Sequence, residues 1–134
     1  MSNATKLVSG ILLIIVPTIE FGGTFLLRLL AGKEPQFTEF KHSMFRAGHA
    51  HAGVLVILAL VAQIFLDHAR LPKALGWAAR IGFVLAPLLV SGGFFGGASG
   101  ETQPGGLIAL LWIGVVVLAC SVITLGIGLI RART

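Results

Sequence analysis

Two histidines, His49 and His51, stand one alanine apart in the segment RAGHAHAG, residues 46–53. Imidazole is a ligand for haem iron and for Zn or Cu, and it exchanges a proton near neutral pH. The sequence on both sides of this segment is strongly apolar. We therefore expect both rings inside a membrane, where a polar group without a partner is costly and is a functional candidate.

The spacing of the two histidines limits what they can bind. Residues i and i+2 of a helix point about 200° apart, so the two rings leave opposite faces and cannot hold one small ion together. Either each ring serves a different site, or copies of the chain meet so that His49 of one faces His51 of the next. Small residues surround the pair and leave room for a flat, bulky ligand: Ala47, Gly48, Ala50, Ala52 and Gly53. Alternatively, these residues only let helices pack closely, and both imidazoles bond to carbonyl groups across the bundle.

The composition predicts the elements that position the pair. Of the 134 residues, 56% are hydrophobic and 11% are charged, and the mean hydropathy is +0.97. Soluble domains carry about one quarter charged residues, so we predict a membrane protein. Four apolar stretches are long enough to cross a hydrocarbon core of roughly 30 Å as helices: residues 7–30, 45–67, 75–97 and 106–130. The predicted fold class is all-α, one domain over residues 1–134 in which four transmembrane helices form a bundle.

The distribution of Lys and Arg predicts the orientation of these helices. The basic residues assigned to one side of the membrane are Lys6, Arg70, Lys73, Arg80, Arg131 and Arg133. The positive-inside rule then places both termini in the cytoplasm and the histidine pair near the outer surface. This topology accounts for the basic pI of about 10.4, so we expect bilayer lipid and no nucleic acid as a partner. The expected location is a bacterial or archaeal-type plasma membrane, with several passes.

Other ionisable groups lie in or at the ends of the predicted spans. Those near the ends are Arg28, Arg46, Asp67 and Arg80. Such side chains can extend to the interface, so we expect them to anchor the helices there. Glu20 lies deeper, and we treat it as a functional candidate together with the histidines.

The third span contains SGGFFGGASG, in which glycines recur at the spacing of helix contacts. Gly92 and Gly96 form one G-x-x-x-G pair, and Gly93 and Gly97 form another. Such pairs let two helices approach closely in lipid. We expect them to pack within one chain, with contact between copies as the alternative.

The segment GHAHAG near the outer end of a second transmembrane helix resembles the histidine pair of the haem-copper oxidase catalytic subunits. In that family, four-helix arcs carry ligating histidines toward the outer ends of their second helices. One arc has a His-x-His motif whose two histidines serve different haems on opposite faces. The chain is similar to one such arc. The family's oxygen-reducing centre needs three further histidines and a tyrosine, but here tyrosine is absent and His42 and His68 are predicted to lie in loops, so the resemblance implies no oxygen-reducing enzyme.

The resemblance implies a homotrimer that replaces the three arcs of the family by three copies of one chain. A non-covalent haem, of type b or a, would lie between His49 of one copy and His51 of the next, both being iron ligands. Iron with two imidazole ligands suits electron transfer with a redox partner better than catalysis. Arg46 would contact the haem propionates, with Arg28 and Lys41 as second choices. Glu20 or a helix carbonyl would accept the other N–H of a ligating imidazole.

Two other functions remain open. In a small proton or divalent-metal transporter or channel, the histidines would bind protons, Zn or Cu, and Glu20 and Asp67 would extend a polar path. Gln63 is the only polar side chain between His51 and Asp67, so this path is interrupted. A ligand-free accessory membrane subunit also fits, apart from the cost of two deep imidazoles.

Overall fold

The structure, a computed structural model, describes residues 1–33 and 37–133. This described part is all-helical. Its elements are α1 (Asn3–Leu30), α2 (Glu39–Leu66), α3 (Lys73–Gly97), a 3₁₀ turn (Gly106–Ile108) and α4 (Ala109–Arg131). All four helices, the last together with the 3₁₀ turn, are long and apolar enough to span a membrane. The prediction of an all-α chain with four helices able to span a membrane is therefore confirmed for the described residues.

Three helices begin earlier than the hydropathy predicts: α1 at Asn3, α2 at Glu39 and α3 at Lys73. α1 begins before residue 7, where the Ser2 hydroxyl accepts the backbone N–H of Thr5 at 3.1 Å. α2 begins at Glu39 rather than at residue 45, because Thr38 caps it in the same way. The first turns are polar, so they lie outside the apolar stretches from which the spans were predicted. One consequence is a correction: His42 lies within α2 and not in a loop.

The helices pack in chain order as an open arc. α3 packs against α2 and α4, and α2 packs against α1, with smaller contacts between α2 and α4 and between α1 and α3. Within the described residues, α1 and α4 do not contact each other. Half of the most apolar stretch of α3 (50%) is buried inside the chain, against 6% in α1. α3 is therefore the centre of the fold, and α1 lies at its edge.

Glycines of α3 allow close contacts with α4 and with α2. A methyl group added at Gly93 would overlap the backbone nitrogen of Leu111 in α4, and one added at Gly97 would lie 2.6 Å from the Met44 side chain in α2. This G-x-x-x-G pair thus packs within the chain, as expected. Gly92 differs, because a methyl group there would meet no atom within 4 Å.

The N- and C-terminal residues lie at one end of the arc, which we call the termini end. There the backbone N–H of Ser2 donates to Asp67 just after α2 at 2.7 Å. The N–H of Arg70 donates to the carbonyl of Gly128, near the end of α4, at 2.9 Å. The opposite end contains residues 46–53, and we call it the histidine end.

Candidate functional site

One face of α2 carries several polar groups at the histidine end. His42, Arg46, His49 and Gly53 follow one another at intervals of three or four residues, so they lie on one stripe of the helix. This stripe faces α1, which shares with it the walls of three cavities. His42 was not predicted to belong to this stripe. The spacing of His42 indicates that it does, because it lies four residues before Arg46 and seven before His49.

His49 is half-buried against α1. Methyl groups added at Gly22 and Gly23 would lie 3.5 Å and 3.4 Å from the imidazole ring. The two glycines therefore let the ring pack directly on the α1 backbone. Within the described part of the chain, neither ring nitrogen of His49 has a hydrogen-bond partner.

His51 leaves α2 in another direction and is exposed. Its ring lies 4.8 Å from the ring of Phe94 in α3, centroid to centroid, and its Nδ1 lies 2.7 Å from the carbonyl oxygen of Ala47. A carbonyl oxygen only accepts, so Nδ1 carries the proton and Nε2 keeps a free lone pair. The two rings thus diverge, as the spacing predicts. In a membrane, the exposed face of His51 meets lipid unless another molecule covers it.

Cleft A is a cavity of about 310 Å³ between α1, α2 and α3 beside His49. Its smallest lining residues are Gly22, Ala52 and Gly92. The hydroxyl of Ser91, on the α3 wall, is buried and has no hydrogen-bond partner in the described part of the chain. By contrast, the Ser121 hydroxyl in α4 donates to the carbonyl of Val117 at 2.8 Å. Cleft A is therefore lined by an imidazole, by an unpaired hydroxyl group and by small residues that leave room for a flat ligand.

Groove B is a cavity of about 230 Å³ between α1 and α2, and it is also lined by His49. Glu20 lines groove B as well; it is exposed and has no partner within the described residues. A methyl group added at Gly53, on the α2 side, would meet no atom within 4 Å. His49 therefore borders two cavities, and of these only groove B contains a carboxyl group.

The two arginines proposed as propionate partners both lie at the histidine end. Arg46 lines a third cavity, of about 290 Å³, together with Glu39 and His42. Nε2 of His42 is buried without a hydrogen-bond partner among residues 1–33 and 37–133. Arg28 is exposed in the last turn of α1. Arg46 thus shares the stripe of His49, whereas Arg28 lies at the end of the neighbouring helix.

The structure does not bring the two candidate ligands together within one chain. His49 packs against α1, and His51 packs against Phe94 of α3. Across residues 1–33 and 37–133, no group of three or more His, Cys, Asp or Glu side chains could hold a metal ion. Cys120 is exposed on α4.

A second polar cluster, at the termini end, was not predicted. Arg80 in α3 donates to Asp67 at 2.6 Å, to the Thr5 hydroxyl at 2.8 Å and to the Gln63 side chain at 3.0 Å. We expected Arg80 and Asp67 to anchor at the interface. Instead their side chains are only 9% and 13% exposed, because each finds partners inside the chain. The i, i+4 spacing of Gln63 and Asp67 on α2 was a signal for this cluster.

The pKa of Asp67, which lies just beyond the spanning part of α2, reflects this cluster. Burial by itself would raise the pKa of the carboxyl group. Hydrogen bonds from Thr5, Ser2 and Arg80 outweigh burial and hold the pKa of Asp67 well below its usual range. The cluster thus contains an ionised carboxylate paired with arginine at neutral pH.

An apolar core separates the two polar regions. Leu12, Ala59 and Phe83 are at most 1% exposed and belong to one hydrophobic cluster to which all four helices contribute. Gln63, the one polar side chain available to a path along α2, belongs to the Arg80 cluster. This arrangement offers no support for the transporter hypothesis.

Comparisons with known protein families, with curated proteins and with solved structures found no match to this chain. The geometry of the site therefore carries the functional proposal.

Proposed function

We propose that the protein is an integral-membrane haem protein that transfers electrons, with iron held between His49 of one copy and His51 of a second copy. The state of His51 is the observation that carries this proposal. Its Nδ1–H donates to the Ala47 carbonyl, which leaves the Nε2 lone pair free on an exposed ring. Ligating histidines almost always donate their other N–H to an oxygen in this way.

Two imidazoles fit a porphyrin better than a bare ion. Structural zinc sites take four protein ligands, whereas a porphyrin supplies four nitrogens and leaves two axial positions. In cleft A, His49 lies among small lining residues. Its volume of about 310 Å³ is at the lower end of the roughly 300–1,000 Å³ of ligand pockets, so a second copy would complete the site.

The other proposed contacts also lie at the histidine end. Arg46 lies one turn from His49, and Arg28 lies at the end of α1; either guanidinium suits a propionate. Gly53, by contrast, lines groove B and not cleft A, so its open space would not touch a ligand in cleft A. Iron with two imidazole ligands would carry one electron and would have no open position for a substrate.

The proposed assembly is a closed ring of three copies in a bacterial or archaeal-type plasma membrane, with the termini end in the cytoplasm. An open arc leaves the free edges of α1 and α4 to be covered by neighbours. Each copy contributes one His49 and one His51, so every interface of a ring receives one of each. The Lys and Arg residues near the termini end favour this orientation.

The direct test is the absorption spectrum of the protein, purified in mild detergent from haem-replete cells. We expect a Soret band and sharp reduced α and β bands from a haem with two histidine ligands. His49→Ala and His51→Ala should each abolish these bands, whereas the matched control His68→Ala should retain them. A folded wild-type protein without haem would contradict the proposal.

Sharing between copies is tested by co-expressing the His49→Ala and His51→Ala chains. If copies mix at random, about one quarter of the interfaces combine an intact His49 with an intact His51, so about one quarter of the wild-type haem should return. Light scattering of the same sample should give the mass of three chains. No recovery of haem from well-mixed copies would show that the site is not shared.

A further inference from the structure

The two proposed ligands differ in what accepts their second N–H. His51 donates to the Ala47 carbonyl at 2.7 Å. His49 has no such acceptor within the described residues, although it stands in an apolar setting where a free N–H is costly. Glu20 is an acceptor without a donor, and it lines groove B together with His49.

We propose that Glu20 is the positioning residue of His49: once the exposed Glu20 side chain turns toward the ring, its carboxyl oxygen accepts the N–H of the ring nitrogen that does not face cleft A. His49 lines both cavities, whereas Glu20 lines only groove B. A ligand in cleft A and the carboxyl group in groove B therefore approach different sides of one ring. Glu20 is also within one helical turn of Gly22 and Gly23, on which the ring packs.

The surroundings of groove B favour this pairing. Apart from Glu20 and His49, the groove is lined by glycine and apolar side chains: Val16, Ile19, Gly53, Val56, Ile57 and Leu60. A carboxyl group at this depth is costly without a partner. The imidazole is the one lining group that can donate to it, so pairing relieves both polar groups.

The role of Glu20 toward haem rests on the proposed function, but the pairing with His49 does not. A carboxyl acceptor raises the basicity of a ligating imidazole. His51, bonded to a neutral carbonyl, lacks this effect. The two axial ligands would therefore be unequal, and His49 would be the stronger donor to iron.

The pairing is tested by nitrogen-15 NMR of histidine-labelled protein from haem-deficient cells. We expect a single tautomer of His49 in the wild type and a mixture of tautomers in Glu20→Leu. Glu20→Gln retains an amide oxygen and should restore a single tautomer. Thr24→Val is the matched control on α1, because the Thr24 hydroxyl already donates to the Phe21 carbonyl. Identical His49 signals in the wild type and Glu20→Leu would overturn the inference.

The role toward haem is tested by retention of the cofactor. Loss of such a partner lowers metal affinity by about 10–100-fold, so the haem affinity of Glu20→Leu should fall by that factor. The midpoint potential of its haem should rise, because His49 would be a weaker donor to iron. Thr24→Val should match the wild type. If the wild type binds haem and Glu20→Leu binds it equally well, the inference is wrong and the proposed function stands. If the wild type binds none, the proposed function fails, and the NMR comparison still decides the pairing.

Discussion

At the termini end, Arg80 satisfies Asp67 and Thr5 within one chain, whereas at the histidine end Glu20 and Nε2 of His51 have no partner among the described residues. Both ends place polar groups at or within spanning helices, where each unsatisfied group is costly. The difference separates two uses of such groups. The termini end uses most of them to join three helices, although Nε2 of Gln63 is buried there without a hydrogen-bond partner among the described residues. At the histidine end the unpaired groups of Glu20 and His51 are exposed, where the proposed ligand and second copy would meet them.

Helix packing explains this difference. At the termini end, α1, α2 and α3 come close enough for Thr5, Gln63 and Arg80 to bond directly. At the histidine end, cleft A opens between α1 and α3. Apolar and ring contacts still join the three helices there, but in the described part of the chain their polar groups are not brought within hydrogen-bond reach of one another. Places where a fold breaks the rule of satisfied polar groups are expected to be functional sites.

The largest expected effect is that of breaking the Arg80 cluster. Arg80→Met leaves the Asp67 carboxylate largely buried without its cation, which should destabilise the protein by about 3–5 kcal/mol. His51→Ala, on an exposed face, should change stability by less than about 1 kcal/mol. Thermal unfolding in detergent, followed by circular dichroism, compares the two. Equal losses of stability in Arg80→Met and His51→Ala would contradict the difference between the termini end and the histidine end.

The second effect concerns two adjacent glycines of α3. Gly93→Ala forces the α4 backbone at Leu111 to move, which should cost about 1–3 kcal/mol. Gly92→Ala meets open space and should be neutral or stabilising by up to about 1 kcal/mol, because alanine favours helix more than glycine does. The same unfolding assay measures both variants. A larger loss at Gly92 than at Gly93 would show that cleft A is closed in the membrane protein.

The third prediction concerns pH and the Asp67 carboxylate. Its folded pKa lies below the unfolded value of about 3.9, so the stability it contributes is complete above about pH 5 and is lost as the pH falls through 3.9 toward the folded pKa. The slope in that acid range is at most about 1.4 kcal/mol per pH unit. Asp67→Asn should be less stable at neutral pH and should lose this acid dependence. Parallel stability curves for the two proteins would refute the assignment.

The smallest expected change in stability comes from filling cleft A. Gly92→Leu adds a side chain where a methyl group meets no atom within 4 Å, so stability should change by less than about 1 kcal/mol. Haem content should nevertheless fall sharply, because the added side chain occupies the cleft beside His49. Absorbance per chain is the measurement, with Gly126→Leu on α4 as the control, since Gly126 also faces open space. Full haem content in Gly92→Leu would exclude cleft A as the binding site.

Much of the fold could be predicted from the sequence, because apolar length and helical period are local properties. Apolar length predicts the spans, and helical period predicts that His49 and His51 point in different directions. The early start of α2 was missed because its cap, Thr38, and its polar first turns lie outside the apolar run. The pairing of Arg80 with Asp67 was missed because a position near a span end fits both an interface anchor and a buried pair.

The sequence by itself determined that the chain has four transmembrane helices and that two imidazoles leave one helix in different directions. The tertiary structure decided which polar groups meet. It placed His49 on the glycines of α1, gave His51 a carbonyl acceptor, and opened cleft A next to Gly92. The physical reason is that hydropathy and period depend on residues close together in the chain, whereas satisfaction of a polar group depends on how far apart neighbouring helices pack.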